Sequence, residues 1–582
     1  MPIADSSPHE TVQGALEGAC TPSGRALRVA AVAALVGFVA IAVISLGQSG
    51  PTVHPDEWGF LTNGQVLTGH VEAVMPTTSF YPVGFGAVTA IGSVLTGSLQ
   101  GAYRFTLVVN LLLALLTAWS CTVMARRIFG VSRELSWVTG LLVLVMPGTL
   151  LSSVYAWPEI AIRLAFIALV FLLHRTISGP GRRTVAELAV FTGFLPLLHG
   201  RFILVMPVVG LSILWLCVRG LLRLRAVVAS ALLMASCFLV SGLLNSWVKG
   251  VLYPNSFNQQ NRLLRRLVKP HLWTTIARIA AGQTWYLLAT TAGLFGVGVM
   301  VAVVRARRAN AEGSGAGPNH DIFYWTLIGC VAAIIFTGSL QLIGFNRGDH
   351  LIYGRYAEVL VPVLVVVAVS ALHRSSHPVM RAWIASVSLA PAIVAVYLAV
   401  DGRDVLAEKA DAGTVVYPNV PGVDAMHYLV PVRFVHFALA FFVVGALVWL
   451  LARRSRVAAL VALVVLFSSG LVLSAERSIK PRTRFLNEIV HTPPILKADG
   501  AVAVAFDSEV ANDPAYYFLR YKIHPVRLVY VKASVSGETI PANLNCIFEP
   551  SEQTPPQGEW TIVAEDWAVS RVLWRRVGTT RC

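Results

Sequence analysis

The chain has 582 residues, of which 55% are hydrophobic and only 13% are charged, and its formal net charge is +16. A soluble chain would carry about 25% charged residues. Many runs of roughly 18 or more nearly apolar residues could cross a bilayer as helices. Their continuity, as in 31–44, excludes a β-barrel, whose strands alternate apolar and polar residues. We expect a polytopic α-helical membrane protein with basic residues at the lipid headgroups and no nucleic-acid partner.

Apolar runs predict about 13 transmembrane helices. They lie near 28–48, 104–125, 135–152, 159–175, 186–199, 202–219, 226–246, 285–304, 322–344, 357–373, 381–400, 433–452 and 457–475. Every alternate loop is rich in arginine, which places the N-terminus in the cytoplasm by the positive-inside rule. An odd number of helices then places the C-terminus outside the cell membrane.

Composition divides the chain into three parts. Residues 1–26 are polar and are expected to form a disordered cytoplasmic tail, and 27–475 would form the transmembrane catalytic domain with a first external loop at 49–103. Residues 476–582 have the composition of a soluble domain. Strand patterns at 501–506, 526–531 and 560–564, with a helix at 514–521, predict a small extracytoplasmic α/β domain.

Two cysteines fall in this C-terminal part, Cys546 and Cys582. An oxidising compartment permits such residues to form a disulfide. The sequence does not show whether they lie close enough to pair.

The most informative stretch is 54–58, directly after the first apolar run, because it contains the acidic pair Asp56 and Glu57. Charge at a membrane boundary is costly unless it is hydrated or paired, so it indicates a functional site. The alternative is an acidic turn in which Asp56 caps the next helix.

A second acidic residue, Glu159, follows Pro158 in a short external loop. Proline and glutamate are also ordinary residues for the start of a helix, which is the alternative. His199 and Arg201 lie on the external side of the fifth and sixth predicted helices. They would complete a polar cluster around the two acidic positions.

Several arginines lie on the external side, against the positive-inside rule. They are Arg262, Arg265, Arg266, Arg347 and Arg355. One interpretation is that they extend to lipid phosphates. The other is a site for an anionic group, such as the phosphate of a lipid-linked substrate, because the guanidinium group donates two parallel hydrogen bonds to phosphate.

Together these features resemble the GT-C glycosyltransferases, and most nearly their protein O-mannosyltransferase and aminoarabinose transferase branch. The resemblance covers roughly 28–375 and depends on Asp56-Glu57, Tyr81-Pro82, the segment 126–130, Glu159, and Gly354-Arg355-Tyr356 with Pro362. An external C-terminal domain is common among actinobacterial members. The resemblance implies an inverting transfer of sugar from a polyprenyl-phosphate donor to a hydroxyl of a glycan, lipid or protein outside the membrane.

This resemblance implies roles for the site residues. Asp56 is the candidate base, with Glu57 orienting the acceptor or capping a helix and Glu159 as a second carboxylate. Cations would stabilise the leaving phosphate, Arg355 first among them. Further candidates for substrate binding are Tyr81, His199, Arg201, Arg262, Arg265, Arg266, Arg347 and Tyr356. A divalent metal ion on Asp56 and Glu159 stays open, because no acidic-x-acidic motif lies near Glu159.

Two other classes of protein remain as alternatives. A transporter or flippase for a lipid-linked or anionic substrate would also place charge in a membrane cavity, although internal repeats, which are typical of transporters, are not evident. A non-catalytic scaffold would leave the acidic pair and the external arginines unexplained. The sequence does not identify the sugar, the acceptor or the oligomeric state.

Overall fold

The structure is a computed structural model. It describes residues 24–53, 55–70, 75, 77, 79–253, 265–308, 319–343, 348–374, 378–393, 396, 417–425, 434–508, 513–532, 540–552 and 559–582.

The chain is mostly helical. The helices of the first half are α1 Gly24–Leu46, α2 Asp56–Leu67, α3 Gly86–Thr96, α4 Leu99–Arg127, α5 Arg133–Val145, α6 Glu159–Ser178, α7 Arg182–Leu198, α8 Val205–Val218 and α9 Leu224–Leu252. Those of the second half are α10 Trp273–Thr290, α11 Leu294–Arg308, α12 His320–Gln341, α13 Val361–Arg374, α14 Pro378–Ile393, α15 Phe434–Arg454, α16 Arg456–Ser474, α17 Lys480–Asn487, α18 Thr492–Ala498 and α19 Pro514–Ile523.

Short turns of helix join these elements. Those used below are Pro147–Leu150, Leu151–Val154, Gly200–Phe202, Gly354–Ala357, Glu358–Leu360 and Pro421–Asp424.

Among the described residues, eight helices are long and apolar enough to cross a membrane, or up to ten if two bent pairs each count as one crossing. The chain is therefore a multi-pass membrane protein, and the predicted count of 13 is not confirmed. Helices also lie at the other three predicted positions, namely α7, α14 and α15.

Two of the predicted membrane helices are bent. The predicted helix at 135–152 bends by 57° before Pro147, whose ring cannot continue a regular helix. The predicted helix at 285–304 is instead α10 and α11, bent by 108°. Ala292 and Gly293 adopt positive φ values of 50° and 84° there, and Trp383 Nε1 donates to the freed Ala292 carbonyl at 2.7 Å. These breaks place polar backbone inside the bundle.

The C-terminal part contains a five-stranded sheet. Its strands are β1 Ala503–Asp507, β2 Arg527–Val531, β3 Cys546–Pro550, β4 Trp560–Asp566 and β5 Arg571–Arg576, in the order β2-β1-β3-β5-β4. Strand β1 pairs parallel with β2 and β3, whereas β5 pairs antiparallel with β3 and β4. A disulfide joins Cys546 to Cys582. The predicted small α/β domain is therefore present.

Two apolar cores organise the molecule. The larger one lies inside the helical bundle, where α1 packs against α16 so closely that Gly37 lies directly against Ser468. The second joins α2, the start of α4 and the end of α9 to the C-terminal sheet and α19. The C-terminal domain therefore packs directly on the end of the bundle that carries Asp56.

Candidate active site

Asp56 is the first residue of α2, directly after Pro55. Its Oδ2 atom lies 2.5 Å from Arg355 Nη1, and Tyr81 donates its hydroxyl hydrogen to Oδ1 at 2.6 Å. The Asp56 side chain is 20% exposed. Burial and the nearby Asp56 carboxylate raise the pKa of Tyr81 well above its ordinary value, so its phenol stays protonated as a donor. Asp56 is thus an oriented carboxylate that solvent can still reach.

Arg355 links the two predicted acidic positions. It lies on the short helix Gly354–Ala357, and its Nε atom is 3.2 Å from Glu159 Oε1. The guanidinium group lies over the Trp157 ring, 4.5 Å from its centroid. The contacts with Asp56 and Glu159 are made by Nη1 and Nε, and the buried Nε atom has no hydrogen-bond partner among the described residues. Two carboxylates and the rings of Trp157, Tyr353 and Tyr356 therefore fix Arg355, and its Nη2 atom takes part in neither carboxylate contact.

Arg201 completes the charged cluster. The short helix Gly200–Phe202 places Arg201 Nη2 3.0 Å from Glu159 Oε1. The same guanidinium donates to the backbone carbonyls of Arg355 and Tyr356 and lies over the Tyr356 ring at 4.8 Å. Arg201 is fully buried, so these contacts fix the backbone that carries Arg355.

His199 supports Arg201 from its own turn. Its Nδ1 atom accepts hydrogen bonds from the backbone N–H and the Nε–H of Arg201, at 3.2 and 3.3 Å. Burial, together with Arg201 and Arg355, lowers the pKa of His199 well below its ordinary value. The imidazole is therefore neutral, as its acceptor role requires.

Asp56, Tyr81, Glu159, Arg201 and Arg355 are called the site layer below. Their burial and mutual contacts bring together residues up to 299 positions apart in the chain.

Glu57 differs sharply from its neighbour. It is fully buried, and its carboxylate accepts three backbone N–H hydrogen bonds, from Thr52 and Val53 at 2.8 Å and from Ala156 at 2.7 Å. Burial raises the pKa of Glu57 to about 7, while the three N–H donors favour the ionised form. Because Ala156 directly precedes the turn that leads to Glu159, Glu57 ties the two acidic segments together.

A second charged group lies deeper in the bundle and was not singled out from the sequence. Glu358 Oε2 lies 2.5 Å from Arg163 Nη2, and Tyr286 donates to Glu358 Oε1 at 2.5 Å while accepting from the Gly422 N–H at 2.7 Å. Arg163, Tyr286 and Glu358 are called the inner layer below. A small cavity beside them is also lined by the two helix breaks, at Pro147 and Thr290.

The two layers lie on the same elements. Arg163 follows Glu159 by one turn of α6, and Glu358 follows Arg355 by one turn of the neighbouring segment. Charged residues in predicted membrane helices are an available sequence signal, because they are costly and mark functional or paired sites. Their pairing across 195 positions could not be read from the sequence.

The predicted external arginines have different surroundings. Arg266 donates to the carbonyls of Leu340, Gln341 and Ile343, so it binds the carbonyl end of α12. This accounts for a buried arginine at 266 without any ligand. Arg265 is exposed.

Arg262 and Arg347, together with His54 of the stretch 54–58, lie outside the described residues.

The site does not fit a metal ion held between Asp56 and Glu159. The Arg355 guanidinium already bridges these two carboxylates, at 2.5 and 3.2 Å. No group of three histidine, cysteine or acidic side chains suited to a metal occurs in the described part of the chain. No catalytic step is therefore assigned to a metal.

Comparison with known proteins identifies the fold. No family model and no curated protein matches the chain. Among solved structures, ArnT from Cupriavidus metallidurans in the apo state matches with a TM-score of 0.53 at 18% identity, covering 95% of this chain and 97% of ArnT. ArnT bound to undecaprenyl phosphate matches with a TM-score of 0.54 at 17% identity, covering 96% of this chain and 99% of ArnT.

A third similarity is weaker. The arabinosyltransferase EmbB from Mycobacterium smegmatis matches with a TM-score of 0.39 at 16% identity, covering 83% of this chain and 42% of EmbB. That score is too low to support an argument about the fold. The two ArnT structures, which extend over almost the whole chain, show that this protein has the fold of ArnT.

Proposed function

We propose that this protein is a glycosyltransferase that moves a sugar from a polyprenyl-phosphate donor to a hydroxyl group of a cell-envelope acceptor, with inversion at the anomeric carbon. The observation that carries the proposal is the state of Asp56: a solvent-accessible carboxylate, oriented by Tyr81 and held beside Arg355 at 2.5 Å. A base and a cation are thus adjacent in a membrane protein. The ArnT fold and the bound undecaprenyl phosphate in one ArnT structure support a lipid-linked donor.

The reaction needs few groups. The acceptor oxygen forms a bond to C1 of the sugar as the bond from C1 to the phosphate oxygen breaks, and the electron pair of that bond leaves with the phosphate. The acceptor proton passes to the Asp56 carboxylate. Such general-base catalysis contributes about 10²- to 10⁴-fold in rate.

Arg355 is the proposed partner of the leaving phosphate. Its Nη2 atom takes part in neither the Asp56 nor the Glu159 contact, so a phosphate oxygen can accept a hydrogen bond from it without displacing either carboxylate. Preorganised donors of this kind stabilise charge that develops in the transition state. Arg201, Glu159 and Glu57 are positioning residues in this scheme, because their contacts orient Arg355 and the two acidic segments.

The site would face the outside of the cell membrane, with the N-terminus in the cytoplasm and the C-terminal domain outside. The arginine-rich alternate loops support this orientation. The disulfide between Cys546 and Cys582 supports it as well, since disulfides persist in oxidising compartments. We propose 27–475 as the catalytic domain and 476–582 as the external domain.

The test is transfer of labelled sugar in proteoliposomes that contain the purified protein. Wild-type protein is expected to move label from a polyprenyl-phosphate sugar to acceptors in an envelope extract, and Asp56→Asn to reduce the rate by about 10²- to 10⁴-fold. Glu476→Gln is the matched control, because Glu476 is an exposed carboxylate that pairs with Lys480 away from the site layer.

Two results would contradict the proposal. Asp56→Asn protein that transfers sugar at nearly the wild-type rate would remove the base assignment. Wild-type protein that moves the intact labelled lipid across the bilayer without transferring its sugar would instead identify a flippase.

A further inference from the structure

The helix that carries Asp56 is covered by the C-terminal domain. Trp58 of α2 is fully buried against α19, with ring centroids 6.2 Å from Tyr517 and 5.9 Å from Tyr521. Aromatic pairs at these separations stabilise the interface beyond the area that they bury. The contact lies two residues from Asp56.

A polar contact holds the same face of α2 two turns further on. Arg520 Nη2 donates to Gln65 Oε1 at 3.1 Å, and the Arg520 guanidinium lies 5.7 Å from the Trp58 ring centroid. Positions 58 and 65 are seven apart and therefore share one face of a helix. Helix α19 of the C-terminal domain thus contacts α2 at two positions on one face.

The opposite side of α2 contacts the site layer. Gly59 lies so close to the Tyr81 ring that a Cβ atom would overlap it, and Tyr81 donates to Asp56. Helix α2 is therefore held between α19 on one face and Tyr81 on the other. A shift of α19 would move both the Asp56 carboxylate and the residue that orients it.

This interface is not optimised for stability alone. Trp58 Nε1 and Tyr521 OH are buried and have no hydrogen-bond partner among the described residues. Each unsatisfied buried polar group destabilises the folded state. Phenylalanine at position 521 would avoid that cost, so the Tyr521 hydroxyl group is not explained by stability.

We propose that α19 of the C-terminal domain positions Asp56 through Trp58 and Gln65, with Tyr517, Arg520 and Tyr521 as positioning residues for the reaction. The C-terminal domain is then part of the catalytic unit. The expected effect on sugar transfer rests on the proposed function, whereas the coupling between α19 and α2 rests on the geometry of α2 alone.

Arg520→Ala tests the coupling. The kcat for labelled polyprenyl-phosphate sugar is expected to fall about tenfold with KM unchanged, because a small displacement of a base costs rate rather than donor binding. The exchanged pair Gln65→Arg with Arg520→Gln is expected to recover at least half of the loss. Arg527→Ala, at an exposed arginine of the same domain, is the control.

Hydrogen exchange gives a readout that is independent of activity. Arg520→Ala is expected to speed exchange of amides in 56–67 without changing exchange in the bundle helices, and Arg527→Ala to change neither. Unchanged exchange in α2 would overturn the inference, as would a kcat that stays at the wild-type value or is not recovered by the exchanged pair. If wild-type protein shows no transfer, the proposed function fails, and the exchange experiment still decides the coupling.

Discussion

The site layer and the inner layer use similar charges on the same two chain segments, yet they differ in access. In the site layer, the Asp56 side chain is 20% exposed. In the inner layer, the Arg163 and Glu358 side chains are 2% and 5% exposed and face each other. An ion pair alone therefore does not identify a reactive group. Access to solvent distinguishes Asp56, the proposed base, from Glu358, whose ion pair is enclosed in the bundle.

Arg355→Ala is the variant expected to have the largest effect on transfer. It removes the cation between Asp56 and Glu159, and transfer should fall about 10³-fold, the loss typical of removing a transition-state donor. The measurement is the transfer rate per mole of folded protein. Arg355→Lys keeps the charge but not the planar fork, so we expect it to recover only a small part. Full activity in either variant would show that the site layer is structural too.

Arg163→Met should affect stability rather than chemistry. It leaves Glu358 buried without its cation, a change that costs about 3–5 kcal/mol. Thermal unfolding in detergent should show a lower midpoint. The double variant Arg163→Met with Glu358→Gln should recover most of the loss, because the introduced amide oxygen still accepts from Tyr286 and the side chain carries no charge. A double variant as unstable as the single one would contradict the assignment of the inner layer.

Glu57→Gln tests whether the neighbouring carboxylates Asp56 and Glu57 have different roles. The amide group offers one acceptor oxygen to three backbone N–H donors, so we expect a stability loss of about 2 kcal/mol. Transfer per mole of folded protein should fall much less than in Asp56→Asn. Glu187→Gln, at a partly exposed surface ion pair, is the control with an expected change below about 1 kcal/mol. A loss of transfer equal to that of Asp56→Asn would make Glu57 part of the chemistry.

A further buried carboxylate, Glu549, lies in β3 of the C-terminal domain. Its Oε2 atom has no hydrogen-bond partner among the described residues. Burial, with a smaller effect of Asp507, raises the pKa of Glu549 from 4.5 to about 7.

The folded state therefore binds a proton more tightly than the unfolded state does. The resulting stability is present below pH 4.5 and is lost as the pH rises to about 7, by at most about 1.4 kcal/mol per pH unit. Thermal unfolding followed across this pH range should show the decline in wild-type protein and a weaker one in Glu549→Gln. An equal slope in both proteins would exclude Glu549 as its source.

The helical part of the fold was largely readable from the sequence. Continuous apolar runs predict helices well because membrane backbone must satisfy its own hydrogen bonds. The breaks at Pro147 and Gly293 were not predicted. The first depends on a proline that many membrane helices tolerate, and the second on a contact with Trp383 from a distant helix.

The sheet was predicted only in part. Strands β1, β2 and β4 were predicted, whereas β3 and β5 were not: β3 ends in a glutamate and a proline, and β5 carries three arginines. Their pairing is long-range, and a single sequence does not specify it.

The candidate site was partly readable for a related reason. Asp56, Glu159, Arg201 and Arg355 were singled out because charge lies beside apolar segments, and the structure brings them into one layer. Their roles remain a proposal. Trp58 gave no signal, since an aromatic residue near a membrane boundary is ordinary. Its importance comes from packing against α19, more than 450 positions away.

The disulfide between Cys546 and Cys582 makes the orientation of each molecule measurable without a tag. Cys121, Cys217, Cys237 and Cys330 are free thiols in the described structure. After denaturation without a reducing agent, thiol alkylation would label free thiols such as these and leave the disulfide pair unlabelled. Reduction followed by a second, heavier label would then count the molecules whose C-terminal domain had reached an oxidising compartment. The oxidation state of this cysteine pair thus reports whether the C-terminal domain of each molecule has crossed the membrane.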